Sequence, residues 1–258
     1  MNFGKSTIFN DSDLADNEVY VKLLNGFELH TREGVVTERD IRRKQGVLFL
    51  TLLLWQNGKA ITDNALMHLL WEDPDALEEP ERALKNLSYN VKKSIIHLFP
   101  ANGFLEIKKS GYSISRRYSI KTDLDYFTYK IRDAEGTINP ESRLEKYLKE
   151  LDEFSGIVLP EHDHRAIGHI VETYENRRKS VQDSCLALMY ELGKYNQMRE
   201  FIGTISAARS IDSQLAYWNI KSNIALKRID QAKKQLTEYN EILTEQQIDE
   251  LQHLTGVV

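Results

Sequence analysis

A single cysteine, Cys185, stands in this chain of 258 residues. One thiol cannot close an internal disulfide, so a reducing cytoplasm is the expected home, and Cys185 reads as a small core residue. Long apolar runs are also missing. The longest, Val47 to Trp55, is interrupted by Thr51 and stops at Gln56, well short of the roughly 20 residues that span a bilayer. No charged-then-apolar leader opens the chain, so no secretory signal is expected. The glycines sit singly at turns, and there is no phosphate-cradling glycine loop, no His-Glu-x-x-His and no Gly-x-Ser-x-Gly. Their absence leaves an enzyme without its usual motifs, so neither catalysis nor a cofactor is expected.

What is present describes a globular protein: 41% apolar, 28% charged, and long enough for one large domain or two ordinary ones. The net charge of −5 argues against nucleic acid only until it is divided by segment. Residues 17–121 carry 16 Lys or Arg against 13 Asp or Glu, and residues 122–258 carry 17 against 23. Within the first of these segments, Arg82 to Lys121 holds nine basic residues and only one acidic one, Glu106. A basic block follows an acidic run, which the whole-chain charge conceals.

Residues 1–16, rich in Asn, Asp and Ser, carry no apolar period and are expected to be disordered. Val19 to Leu29 alternates about Asn25-Gly26, a pair suited to a two-residue hairpin turn, and Arg32-Glu33-Gly34 marks a second turn. From Ile41 the period becomes helical. A basic start, Arg42-Arg43-Lys44, leads into an almost wholly apolar helix that stops at Asn57-Gly58. Thr62 caps a second helix with Leu66, Leu69 and Leu70 facing inward, ended by Asp73-Pro74-Asp75. A third runs from Glu81 to Leu98. Its apolar residues Leu84, Leu87, Val91, Ile95 and Leu98 share one face, with Phe99-Pro100 and Asn102-Gly103 closing it. Two short strands around Lys109-Ser110-Gly111 follow, and Arg116 to Lys121 reads as extended chain. Sheet, three helices and hairpin is the order of a winged helix.

From Asp123 onward helical spacing recurs with short polar joins. Glu191 to Met198 resembles Ala225 to Ala232 at an offset of 34 residues, the tetratricopeptide period. The expected fold is therefore an α+β winged helix over residues 17–121 followed by an all-α tetratricopeptide-like region over residues 122–258.

Taken together these stretches resemble the SARP-type bacterial transcription regulators, in which an OmpR-like winged helix precedes a bacterial transcriptional activator domain. The similarity runs from about Tyr20 to about Leu243. It is carried by Arg43-Lys44-Gln45 before Val47, Leu69-Leu70-Trp71 before Asp73-Pro74, Ala83-Leu84 through Lys93, and Gly111-Tyr112. In the second half it is carried by Asp123-Leu124-Asp125-Phe127, Phe154-Ser155-Gly156 and Leu159-Pro160. The resemblance implies side-by-side protomers on directly repeated double-stranded DNA sites, a homodimer there, and RNA polymerase as the partner in activation. The chain departs from the pattern at Tyr89-Asn90, where the family usually has Ser-Arg, and no fused receiver, nucleotide-binding or sensor domain is expected.

Asn86, Tyr89, Asn90 and Lys93 are the candidates for base edges: Asn for adenine, Lys for guanine, Tyr for a thymine methyl or a phosphate. Arg42, Arg43, Lys44, Lys85, Lys92, Lys108, Lys109, Arg116 and Arg117 are the candidates for phosphates. A solvated helix face and charged edge strands would give a similar pattern. An adaptor with tetratricopeptide-like helices, whose winged helix never meets DNA, is the competing reading. The cluster His162-Asp163-His164 with His169 lacks the three or four convergent ligands zinc requires, so no metal is expected.

Overall fold

The computed structural model describes residues 14–99, 103–162 and 165–256. Most of the disorder expected at the N-terminus lies outside the described residues, as do Pro100, Asn102, Asp163 and His164. The chain forms two compact units, Met1–Lys130 with Asp152–Asn176, and Ile131–Leu151 with Arg177–Val258.

In the first unit a four-stranded sheet has the order β3-β2-β1-β6. It comprises β1 (Glu18–Lys22), β2 (Glu28–Thr31), β3 (Gly34–Thr37) and β6 (Ser119–Thr122). The first three strands are antiparallel neighbours, with Tyr20 opposite His30 and Leu29 opposite Val36. β6 lies parallel to β1, Tyr20 opposite Lys121. Asn25 and Gly26 both take positive φ, as the hairpin reading requires, but the strands end at Lys22 and Glu28, leaving a five-residue loop. The reason is competition for the backbone. The amides of Leu23 and Leu24 donate to Oδ2 of buried Asp123, at 2.9 and 2.8 Å. Leu159 donates to the Leu23 carbonyl at 2.9 Å and Asn25 donates to the Ile157 carbonyl at 2.8 Å.

The helices α1 (Glu38–Ile41), α2 (Lys44–Trp55), α3 (Asp63–Leu70) and α4 (Pro80–Ile95) follow. Every residue of α2 from Gly46 to Leu54 is buried, as its apolar run demands. A Cβ on Gly46 would stand 2.7 Å from Cγ2 of Ile41 and 3.1 Å from Cγ2 of Val91, so the missing side chain lets α4 approach α2 closely. Thr62 caps α3, accepting from the Ala65 amide at 3.3 Å. Leu66 and Leu70 are buried, while Leu69 is only half-buried. After α4 a 3-10 turn, Ile96–Leu98, leads to the two-stranded sheet of β4 (Leu105–Lys108) and β5 (Gly111–Ile114). The extended chain expected from Arg116 onward is interrupted. Tyr118 donates to the Ser115 carbonyl at 3.2 Å, and this turn at Arg116-Arg117 aims β6 back along β1.

Seven further helices are described: α5 (Asp123–Glu135), α6 (Pro140–Glu153), α7 (Gly168–Glu191), α8 (Tyr195–Ala208), α9 (Ser213–Ala225), α10 (Ile229–Glu238) and α11 (Glu245–Thr255). In the second unit, Ala216 and Ile220 of α9 pack with Ala232 and Leu236 of α10 and with Leu251 of α11. The 34-residue offset has a structural counterpart. After α7, Gly193 takes φ 69°, its amide reaching Tyr190 and the Lys194 amide reaching Met189. After α9, Lys227 takes φ 59°, its amide reaching Ile224 and the Arg228 amide reaching Asn223. Both are the same left-handed helix cap, placed 34 residues apart. Cys185 is fully buried, and burial pushes its thiol up to about 12. No helix among the described residues is long and apolar enough to cross a membrane.

Candidate nucleic-acid interface

α4 is built to show one face and hide the other. Pro80 supplies a preset φ in its first turn, Glu81 suits the positive end of the helix, and Lys92 and Lys93 suit the negative end. Leu84, Leu87, Val91 and Ile95 are buried. Each contributes about 1.5–3 kcal/mol of apolar burial, which fixes the rotation of the helix. Ser88, the polar residue on that face, donates to the Lys85 carbonyl at 2.9 Å and is hydrogen-bonded to the Tyr112 hydroxyl.

With the inner face fixed, the outer face follows. Lys85, Asn86, Tyr89, Asn90, Lys92 and Lys93 are all exposed, and the Tyr89 ring is 67% exposed. Arg82 stands on the same side, paired with Glu79 at 2.7 Å.

The β4–β5 hairpin is pinned to the α2–α3 loop through Ile61, whose amide and carbonyl exchange bonds of 2.9 Å with those of Tyr112. Tyr112 is buried with its ring edge-on to Phe49 of α2, 5.4 Å between centres. Lys109 and Ser110 form the exposed tip. Lys108 pairs with Glu106 at 2.6 Å, and this bond holds the Glu106 carboxyl below its ordinary range. Arg116 donates through Nε to the Gly58 carbonyl at 3.3 Å, and Arg117 is exposed beside it.

The three basic residues before α2 divide. Arg42 caps α1 in the left-handed region at φ 64°, and Arg43 precedes α2 in extended conformation; both are exposed. Lys44 donates to the Glu161 carbonyl at 2.5 Å, so its ammonium is already held by the segment after α6.

Two of the histidines have close partners. His162 is buried with Nε2 3.2 Å from Glu38 Oε1, the oxygen that also accepts from the Phe27 amide at 2.9 Å. His169 lies edge-on to Trp55. Among the described residues no group of three His, Cys, Asp or Glu side chains could hold a metal ion.

Sequence reasoning missed Ile107, which alternation places toward the core with Tyr112 but which is 59% exposed, because β4 is an edge strand. It also passed over Lys59, whose only signal was its place directly after the Asn57-Gly58 stop.

No family model and no curated protein sequence matches the chain. A solved structure does, that of Mycobacterium tuberculosis EmbR in complex with a low affinity phosphopeptide, with a TM-score of 0.72 and 14% sequence identity. The fold is shared with EmbR. The match covers 92% of this chain and 65% of the EmbR chain, so this chain spans just under two thirds of that length. A winged helix followed by an all-α region, the architecture expected from the sequence, is therefore the architecture observed. At 14% identity EmbR carries the fold across and leaves the side chains of α4 to be read on their own.

Proposed function

We propose that this protein is a cytoplasmic, sequence-specific transcription regulator that binds double-stranded DNA. α4 lies in the major groove, Asn86, Tyr89, Asn90 and Lys93 meet base edges, and Lys85, Lys92, Lys108, Lys109, Arg116, Arg117, Arg42 and Arg43 serve the phosphates. DNA binding is assigned to residues 17–121. Self-association as a homodimer on DNA, and contact with RNA polymerase during activation, are assigned to residues 122–258.

The observation that carries this reading is the exposure of Tyr89 between Asn86, Asn90 and Lys93, on a helix whose opposite face is locked by four buried aliphatic residues. A large ring held in water beside amides and an ammonium, with a basic hairpin following, has the composition of a groove-reading surface.

Gel-shift titration of the intact protein against genomic duplex fragments at 50 and 200 mM salt tests it. A footprint of about eight phosphates weakens binding on the order of ten-thousandfold over that range. Absent or salt-insensitive binding overturns the proposal.

A further inference from the structure

The hairpin has a second face. Residues on β4 and β5 alternate, so Leu105, Tyr112 and Ile114 turn to the buried side, while Glu106 and Ser113, directly paired, turn away. Over that outer face lies an open cleft of about 670 Å³, lined also by Gly58–Ala60 of the α2–α3 loop and by Arg116 and Arg117. This volume falls within the roughly 300–1,000 Å³ of small-molecule sites.

The lining is polar and carries charge of mainly one sign. Lys108 is paired with Glu106 at 2.6 Å, and Lys59, Arg116 and Arg117 add three further positive groups with no second carboxylate in the lining. Ser113 and Ser115 also line it and are only 4% and 3% exposed, so their hydroxyls form a floor rather than a rim. The geometry is also prepared. Gly58 has φ +82°, and a Cβ there would stand 2.5 Å from Cγ of Arg116. The absent side chain lets the arginine lie flat across the loop, where its Nε bonds the Gly58 carbonyl at 3.3 Å. That leaves the two terminal guanidinium nitrogens for another acceptor.

We propose that this cleft is a binding site for a small sugar phosphate, separate from the DNA-reading face of α4. The arginines and lysines supply the forked and point-like donors a phosphate requires. Ser113 and the second oxygen of Glu106, whose carboxylate already holds Lys108 and Ser115, supply partners for sugar hydroxyls. No aromatic side chain lines the cleft to stack a nucleobase, which disfavours a nucleotide. Lys108, Arg116 and Arg117 are shared with the proposed DNA phosphate contacts, whereas Lys59, Ser113 and Ser115 belong to the cleft alone.

Isothermal titration of the full chain with ribose 5-phosphate and glucose 6-phosphate tests the site, with glucose and inorganic sulfate as controls and amide chemical shifts of Ser113 and Ser115 as the local readout. Saturable binding of a sugar phosphate is expected, with both amides shifting and affinity falling at least tenfold in Arg117→Ala and in the Lys59→Ala, Lys108→Ala double variant. These three residues are exposed, so their loss leaves the fold intact, which circular dichroism verifies. No saturable binding by either sugar phosphate overturns the proposal, as does binding that survives both variants. So does a result in which these variants weaken only duplex DNA, which would leave Lys108 and Arg117 as phosphate contacts alone.

Discussion

Gly111 and Ile61 meet backbone to backbone: a Cβ on Gly111 would stand 2.0 Å from the Ile61 carbonyl oxygen and 2.7 Å from its carbon. The contact joins the hairpin to the helices, and it allows the Tyr112 amide to reach Ile61. Gly111→Ala must break it, at a φ of +114° that already disfavours any side chain. A loss of about 3 kcal/mol or more in urea denaturation is expected, with DNA affinity reduced. Gly34→Ala is the comparison. Its φ of +141° is as unfavourable, but the nearest atom, Cδ2 of Leu98, is 3.6 Å away, so the cost falls to about 1 kcal/mol. Equal losses would show that the Ile61 contact is not the cause.

Tyr89→Ala and Lys93→Ala are each expected to weaken binding to a preferred duplex by about 5- to 100-fold while leaving non-specific duplex nearly unchanged. Lys109→Ala at the exposed hairpin tip is expected to weaken binding to all sequences about equally and to lower the salt slope by about one. Competition gel shifts read both. If Tyr89 and Lys93 are replaceable without effect, a different face of α4 is the one in contact.

Burial raises the Asp123 carboxyl from 3.8 to about 6, although the amides of Leu23, Leu24 and Leu124 favour its charged form. For an acid whose folded pKa is raised, the contribution to stability is complete below the unfolded value and is lost as pH rises through the folded one. Relative to Asp123→Asn, the native chain should therefore lose stability between about pH 4 and pH 6.5, by on the order of 3 kcal/mol. Urea midpoints across that range measure it, and a pH-independent difference between the two would contradict the assignment.

The paired helix caps give a test with opposite signs. Lys227 occupies the left-handed position at φ 59° that Gly193 occupies 34 residues earlier. Lys227→Gly is expected to stabilise by about 0.5–1 kcal/mol and Gly193→Ala to destabilise by about 1 kcal/mol, read as shifts in thermal midpoint.

Lys221 is held by the helices around it. Its Nζ lies 4.7, 4.9 and 5.4 Å from the ring centres of Tyr190, Tyr217 and Trp218, and 3.0 Å from Glu250 Oε1. Lys221→Met keeps much of the volume but removes the charge, and a loss of about 2 kcal/mol in urea denaturation is expected. A neutral result would mean that stem packing, not the ammonium, joins these rings.

Much of this was legible in the sequence because burial imposes a period. The inner face of α4 and the all-buried α2 follow from spacing alone. What was not legible depends on partners distant in sequence. Asn25-Gly26 signalled a tight hairpin, yet the carboxylate of Asp123 and the backbone of Ile157 and Leu159 drew the intervening amides and carbonyls away. Lys44 reads as a phosphate ligand from its neighbours in sequence, but the Glu161 carbonyl, 117 residues on, holds its ammonium. For the same reason the cleft behind the hairpin was hidden, since Gly58 and Arg116 are 58 residues apart and neither alone suggests a site.

The parallel pairing of β1 with β6 sets Glu18 beside Ser119. On the ribosome this means that β1 waits for the synthesis of some hundred further residues before its second edge is covered, and longer still for Ile157 and Leu159 to engage the loop beyond it. All of α4 is made inside that interval. The helix proposed to read DNA is thus formed early, but the unit that holds it at a fixed angle is completed late, and nascent chains stalled before Leu159 would present the helix without its frame.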